Sequence, residues 1–379
     1  MKIDQICWKP DTGWEPQPPG RLGDQAQLVL AFGSAAVMSD RDLLGALRQA
    51  YPNAHLLGCS TAGEIYDVHV NDDSLSVTAI QFDVTKIAGA RINLDNFKSS
   101  YDAGHELGMM FEVVDLTHVF VLSSGLGINA SKLVRGLTNA LPAHITVTGG
   151  LAGDGERFRE TIVCWDDDTD NRTVAAIGLY GSRLKVGFGS LGGWDPFGPE
   201  RLITRSEGNI LYELDGKSAL ALYKRYLGEH AKGLPATGLL YPLSIRAKEG
   251  TTGVVRTILS VDEENQCMTF AGDVPEGTYA RLMKANFERL IDGAMGAARI
   301  SFEAIGGAEP ELAVLISCVG RKMVLKQRVE EEIESVRELL GENTLLTGFY
   351  SYGEISPFTP GADCTLHNQT MTITTFREI

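Results

Sequence analysis

Two short loops carry the residues best equipped for chemistry. GCSTAGEI (58–65) and GFYSYGEI (348–355) each set two glycines five positions apart, place hydroxyl residues between them, and follow the second glycine with Glu-Ile. In the first, Gly58 and Gly63 bracket Cys59, Ser60 and Thr61 ahead of Glu64. In the second, Gly348 and Gly353 bracket Tyr350, Ser351 and Tyr352 ahead of Glu354. Paired carboxylates do general acid and base work when their surroundings drive their pKa values apart. The plainer reading has each glutamate accept hydrogen bonds from N–H groups of its own turn and stiffen a pocket wall. Ser60, Thr61, Tyr350, Ser351 and Tyr352 then offer polar handles suited to a carboxylate, a propionate or an amino acid. The residues favour this binding role, and an enzyme working through Glu64 or Glu354 stands behind it.

Other motifs are weaker. SSGLGINAS (123–131) spells G-x-G-x-x-A at Gly125, Gly127 and Ala130, between a strand-like run and a helix-like run. A dinucleotide site also needs an acid near the end of the following strand, and VTGG stands there, so a tight turn is the better account. GxxxxGK[ST], GxSxG, HExxH and CxxC are absent, which leaves phosphoryl transfer, serine hydrolysis, zinc proteolysis and zinc ribbons without motif support.

The elements that hold these loops follow from periodicity. LVLAFGS (28–34) reads as a buried strand; Asp40 can cap a helix with Leu43, Leu44 and Leu47 on one face; HLLG (55–58) then opens into the first glycine loop. The same order returns in HVFVLSSG (118–125), a helix over 133–141 and ITVTGGLAGDG (145–155). It returns again in LAVLISCVG (312–320), a helix carrying Leu325, Val329, Ile333, Val336 and Leu340, and TLLTGFYSYGEI (344–355). The acidic run Glu330 to Glu332 reads as the solvated side of that last helix. TGGLAGD (148–154) is a shorter cousin of the two GEI loops. Alternating strands SLSVTAIQF (74–82) and QTMTITTF (369–376) follow the GEI loops. Between the halves, Ser218 can cap a helix with Leu220, Leu222, Tyr223 and Tyr226, strand-like pieces fall around 239–246, 252–261 and 266–272, and a helix is expected from Thr278. The expected fold is α/β, in two pseudo-related halves, each a mainly buried sheet flanked by helices. Residues 1–26 read as an extended lead-in, 27–230 as the first domain and 231–379 as the second.

Composition excludes further classes. Of 379 residues, 34 are basic and 49 acidic, a formal net charge of −15, and no Lys/Arg block occurs, so neither nucleic acid nor an anionic membrane is an expected partner. No run of eighteen apolar residues offers a membrane span, and the first twenty residues lack the apolar core of a secretory signal. Cysteines 7, 59, 164, 267, 318 and 364 show no framework spacing, so reduced thiols and a cytoplasmic location are expected.

GCSTAGEI, GGLAGDG, LYELDGKSALALYKRYLG, GFYSYGEISPF and LHNQTMTITTF, occurring in this order between about Gln27 and Phe376, together resemble the FIST family, a sensory module with N- and C-terminal parts. Stand-alone bacterial members that the chain resembles bind haem noncovalently, sense nitric oxide and regulate a separate histidine kinase or cyclic-di-GMP enzyme. The resemblance therefore implies a haem-binding sensor, with a small metabolite bound without metal as the alternative and a homodimer as the default assembly. Haem needs an apolar slot and an axial donor. Of the histidines at 55, 69, 105, 118, 144, 230 and 367, the first five and His230 read as solvated or backbone-bonded. His367 lies within the family-like LHNQT, where Asn368, Gln369 or a carbonyl could fix its tautomer, and it is the expected metal ligand. A loop histidine bonded to the GEI turn is the equally weighted alternative. Cys364 makes a single CxxH spacing, weak by itself.

Overall fold

A parallel pair of strands joined by a helical crossover occurs three times in the computed structural model, which describes residues 1–247, 253–358 and 361–379. The pairs are Leu28–Gly33 with His55–Ser60, Leu116–Ser123 with Thr146–Leu151, and Leu312–Cys318 with Leu345–Ser351. Each pair carries an antiparallel strand on its far side: Leu75–Gln81, Thr173–Tyr180 and Met371–Glu378 respectively. Outside those lie Lys2–Lys9, Lys86–Asn93 and Leu184–Leu191. The α/β class expected from the sequence is what forms, and the duplication seen in the GEI loops extends to a third unit, the one containing the shorter 148–154 loop.

The three units exchange hairpins in a cycle. After His55–Ser60 the chain leaves its sheet, and Glu64–Tyr66 pairs with Leu345–Ser351 of the third sheet. After Leu345–Ser351, Gly353–Pro357 pairs with Thr146–Leu151 of the second. After Thr146–Leu151, Val163–Trp165 pairs with His55–Ser60 of the first. The sheets turn apolar faces to a shared core holding Phe32, Phe120, Leu122, Val314, Ile316 and Phe349. Phe32 and Phe349 rings lie 4.7 Å apart.

One glycine per unit makes the parallel pairing possible. Gly58, Gly149 and Gly348 stand opposite Ala31, Val121 and Leu315. A Cβ at these positions would lie 2.3, 1.8 and 1.8 Å from the facing carbonyl oxygen. The helices cover the outer faces. Asp40 accepts from Asp42 N at 2.9 Å and Leu43 N at 3.2 Å, starting Arg41–Ala50, which buries Leu44 and Leu47 against the first sheet. Each such leucine contributes about 2 kcal/mol.

A fourth sheet of eight strands is inserted in the third unit between Leu184–Leu191 and Leu312–Cys318. Its path runs Val254–Arg256, Leu243–Arg246, Tyr279–Ala285, Trp194–Glu207, Ile210–Leu214, Cys267–Phe270, Ile258–Asp262, with Lys217–Ser218 beside Ile210–Leu214. Helix Ala219–Leu227, capped by Ser218 as expected, packs on it.

Four expectations need correction. The lead-in is partly a strand: Lys2–Lys9 pairs along seven positions with Leu75–Gln81, and Ile6 and Cys7 are buried. The helix expected from Thr278 starts at Phe287, capped by Asn286, because Tyr279–Ala285 finds ladder partners on both sides in Leu243–Arg246 and Trp194–Glu207. Leu325 lies on a separate helix, Val319–Leu325, since Lys326 turns to φ +51° before Val329–Leu340 begins. Glu332 is fully buried, not solvated; Arg321 donates to it through Nε at 3.1 Å and Nη2 at 2.6 Å. Residue 252, at the start of one strand-like piece, lies outside the described residues.

Candidate functional site

The glycine loops meet because the hairpin exchange forces each chain crossing past the same point. Ala62 N donates to Tyr350 O at 2.8 Å, Tyr350 N to Gly63 O at 2.8 Å, and Gly153 N to Ser60 O at 2.8 Å. Tyr352 N reaches Leu151 O at 3.3 Å. The two GEI loops and the 149–154 loop thus form one junction, as their likeness in sequence suggested they could.

Each loop ends in a carboxylate held the same way. Glu64 accepts from the Thr61 hydroxyl, from Ser74 N at 3.1 Å and from Ser74 Oγ at 2.8 Å. Glu354 accepts from Ser351 Oγ at 2.8 Å, Thr370 N at 3.1 Å and Thr370 Oγ1 at 2.9 Å. Each glutamate therefore ties its loop to the start of the antiparallel strand of a unit. Asp154 ends the shorter loop of the second unit with a different set of donors, accepting from Tyr352 OH and from the N–H groups of Phe158, Arg159 and Glu160. Burial pushes Glu64 up to about 7 and Glu354 up to about 8, with the hydroxyl and N–H donors opposing that rise.

The remaining loop residues are equally enclosed. Tyr350 OH donates to Glu332 at 2.6 Å, and Tyr352 stacks on Phe158 at 4.5 Å. Ser60 Oγ accepts from Ile162 N at 2.8 Å, and Cys59 sits in the ladder with its thiol driven up by burial. Asn368 Nδ2 reaches Tyr352 O at 3.3 Å, while Gln369 Nε2 donates to Leu239 O at 3.0 Å and Thr257 Oγ1 at 3.1 Å. Asn368 Oδ1 and Gln369 Oε1 are buried without a partner in the described residues. Ser60, Thr61, Glu64, Tyr350, Ser351, Tyr352, Glu354, Asn368 and Gln369 are all buried, with their side-chain bonds made to one another or to neighbouring protein groups.

His367 pairs opposite Glu354 in the hairpin Gly353–Pro357/Cys364–His367. Its Nε2 lies 2.9 Å from Ser356 O and therefore donates to it, and burial lowers the ring to about 4, leaving a neutral imidazole. His118, read from the sequence as solvated or backbone-bonded, is fully buried between Thr146 Oγ1 at 2.7 Å and Thr148 Oγ1 at 2.9 Å. No group of three His, Cys, Asp or Glu side chains among the described residues is placed to hold a metal ion.

Open space lies one layer away. A cleft of about 1110 Å³ separates helix Ala130–Ala140 and the strand entry at Ile145 to Val147 from the inserted sheet, with the edge Cys364 to Leu366 at its base. Val134, Leu141, Ile145 and Val147 form one apolar wall, Ile245 and Val254 the other, and Arg135, Arg246 and Arg256 bring charge. Arg135 pairs with Asp273 at 2.9 Å and Arg246 with Glu200. Sequence reading passed over these residues, since VVRTILS carries no motif and a cleft between an insertion and its host leaves no local pattern. The only hint was three arginines spread over 120 residues of an acidic chain.

Residues 27–217 match the FIST N domain and residues 219–357 the FIST C domain. Uncharacterized protein MJ1623 of Methanocaldococcus jannaschii is 26% identical over 240 residues, covering 55% of this chain and 45% of that protein; the chain spans about half the length of that curated relative. A crystal structure of cyanuric acid hydrolase from A. caulinodans aligns over 100% of this chain and 98% of its own at 8% identity and TM-score 0.39, a likeness too distant to argue from.

Proposed function

The chain belongs to the FIST family, whose domains are sensory and associated with signalling, and from that premise we propose that it is a cytoplasmic, non-enzymatic sensor that binds a small metabolite without metal in the cleft beside the inserted sheet. The observation that carries this reading is the cleft itself, whose walls come from both family domains: helix Ala130–Ala140 from the first, Leu243–Arg246 and Val254–Arg256 from the second. A ligand touching both walls binds the arrangement of domains in which they face each other, and such differential affinity is what transmits a signal. On this reading the loaded and empty forms differ in affinity for a separate histidine kinase or cyclic-di-GMP enzyme.

Haem on His367 fits the geometry less well. Nε2 donates to Ser356 O, which leaves Nδ1 as the nitrogen that could ligate, but the ring is buried in its hairpin and the neighbouring cleft is lined by Cys364, Thr365 and Leu366 instead of by the imidazole. A haem would supply iron for nitric oxide, but a buried imidazole outside the lining of the cleft opens onto no slot that could hold it. The test equilibrates purified protein with a small-molecule extract of cells, exchanges the buffer, and identifies retained compounds by mass spectrometry. Wild type should retain a compound that Thr138→Trp, placed to fill the cleft, does not. Retention unaffected by Thr138→Trp, or a Soret band in haem-supplied protein that His367→Ala abolishes, would overturn the reading.

A further inference from the structure

The cleft contains a cation that has no ion pair among the described residues, with the Asp273 charge near enough only to favour its charged form. Arg256 is 6% exposed. Its Nε donates to Asp273 O at 3.2 Å, and its Nη1 to Leu366 O at 3.0 Å and Val255 O at 3.3 Å. All three acceptors are backbone carbonyls. Among the described residues no carboxylate forms an ion pair with it and Nη2 makes no hydrogen bond. The nearest candidate, Asp273, is already engaged: Oδ2 by Arg135 Nη2 at 2.9 Å and Oδ1 by Asn129 Nδ2 at 2.9 Å. Burying an unpaired guanidinium is costly, so the arrangement is best satisfied when an anion arrives. Desolvation lowers Arg256 only to about 10, and it stays charged at neutral pH.

We propose that Arg256 anchors the carboxylate of a small monoanionic organic acid, whose apolar body lies against Val134, Leu141, Ile145 and Val254. This rests on the cleft being the ligand site. Arginine presents planar N–H donors matched to a carboxylate, and here the contact is made by Nη2 because Nη1 is held by Leu366 of the host and Nε by Asp273 within the insertion. Asp273 and Asp363 also line the cleft, which disfavours a dianion such as a phosphate ester. The bond from Arg256 to Leu366 O joins the inserted sheet to its host, so the group that meets the ligand also helps fasten the insertion.

Isothermal titration at pH 7 with acetate, butyrate, hexanoate and benzoate, each against its uncharged amide, tests this in the full chain. In wild type the acids should bind at least tenfold tighter than their amides and tighten with apolar size, with inorganic phosphate weaker than benzoate. Arg256→Gln should erase the acid-over-amide preference, and Thr138→Trp should remove binding of both. The acid and amide comparison in wild type needs no variant, so it stands even if Arg256→Gln fails to fold. Equal binding of acid and amide overturns the proposal while sparing the cleft if Thr138→Trp blocks both. No binding by any acid, or acid binding indifferent to Thr138→Trp, overturns the proposal. The extract experiment then decides the broader reading separately.

Discussion

Glu64 and Glu354 are uncharged more readily than ordinary glutamates, and the consequence is a pH dependence of a definite sign. Because their folded pKa values, about 7 and about 8, lie above the ordinary 4.5, the folded state binds more protons than the unfolded one across that interval. Stability from these two groups is complete below about pH 4.5 and declines as pH rises through 7 and 8, at up to about 1.4 kcal/mol per pH unit for each. Buried neutral His118 and His367 act in the opposite sense below pH 6.5, and that contribution cancels when variants are compared with wild type. Urea unfolding between pH 5 and 8 should therefore show a flatter profile for the Glu64→Gln/Glu354→Gln double variant than for wild type; parallel profiles would refute the assignment. A second expectation concerns Arg321 and Glu332, both fully buried. Arg321→Met strands Glu332 among Ser317 and Tyr350 and should cost ~3–5 kcal/mol in the same assay, since a buried charge without its partner is expensive. The GEI glutamates were visible as a repeated motif, whereas Glu332 was misread because a helix face with three acids looks solvated unless the arginine eleven residues earlier is seen to fold back on it.

At the level of elements, the parallel pairs rest on glycines that permit close approach to a carbonyl. Gly348→Ala would bring a methyl to 1.8 Å from Leu315 O at a backbone φ of +154° and should destabilise by at least ~3 kcal/mol, with Gly149→Ala comparable against Val121 O. Denaturant midpoints measure this, and a change under ~1 kcal/mol would show that the strands relax freely. Ser218→Ala, which removes the hydroxyl that accepts from Ala221 N at 3.1 Å, should cost about 1 kcal/mol, because that amide then loses its side-chain cap. Strand, helix and glycine loop were legible for each unit, since Leu44 and Leu47 or Val314 and Ile316 repeat with the period of their element. Tyr279–Ala285 was not: Leu282 and Met283 adjoin in sequence as they would on a helix face, and only neighbours 35 and 80 residues away make the segment a strand.

The whole molecule is three exchanged units carrying an inserted sheet, and its two scales of polar chemistry are separated. The junction of the loops is buried and mostly hydrogen-bonded, with Asn368 Oδ1 and Gln369 Oε1 among its atoms without a partner in the described residues. The cleft is open and carries a guanidinium without an ion pair among the described residues. Sequence motifs led to the first because repetition marks what the fold must conserve within itself. The second arises where an insertion faces its host, and no repeat records it. No helix among the described residues is long and apolar enough to cross a membrane.

These two places can be told apart directly by hydrogen exchange read by mass spectrometry on the full chain, with and without the small-molecule extract of cells. A sensor whose ligand sits in the cleft predicts slowed exchange in residues 131–147, 243–247, 254–257 and 361–366, with 58–64 and 350–354 unchanged. Protection confined to the two GEI loops, or no protection at the cleft while a compound is retained, would contradict it.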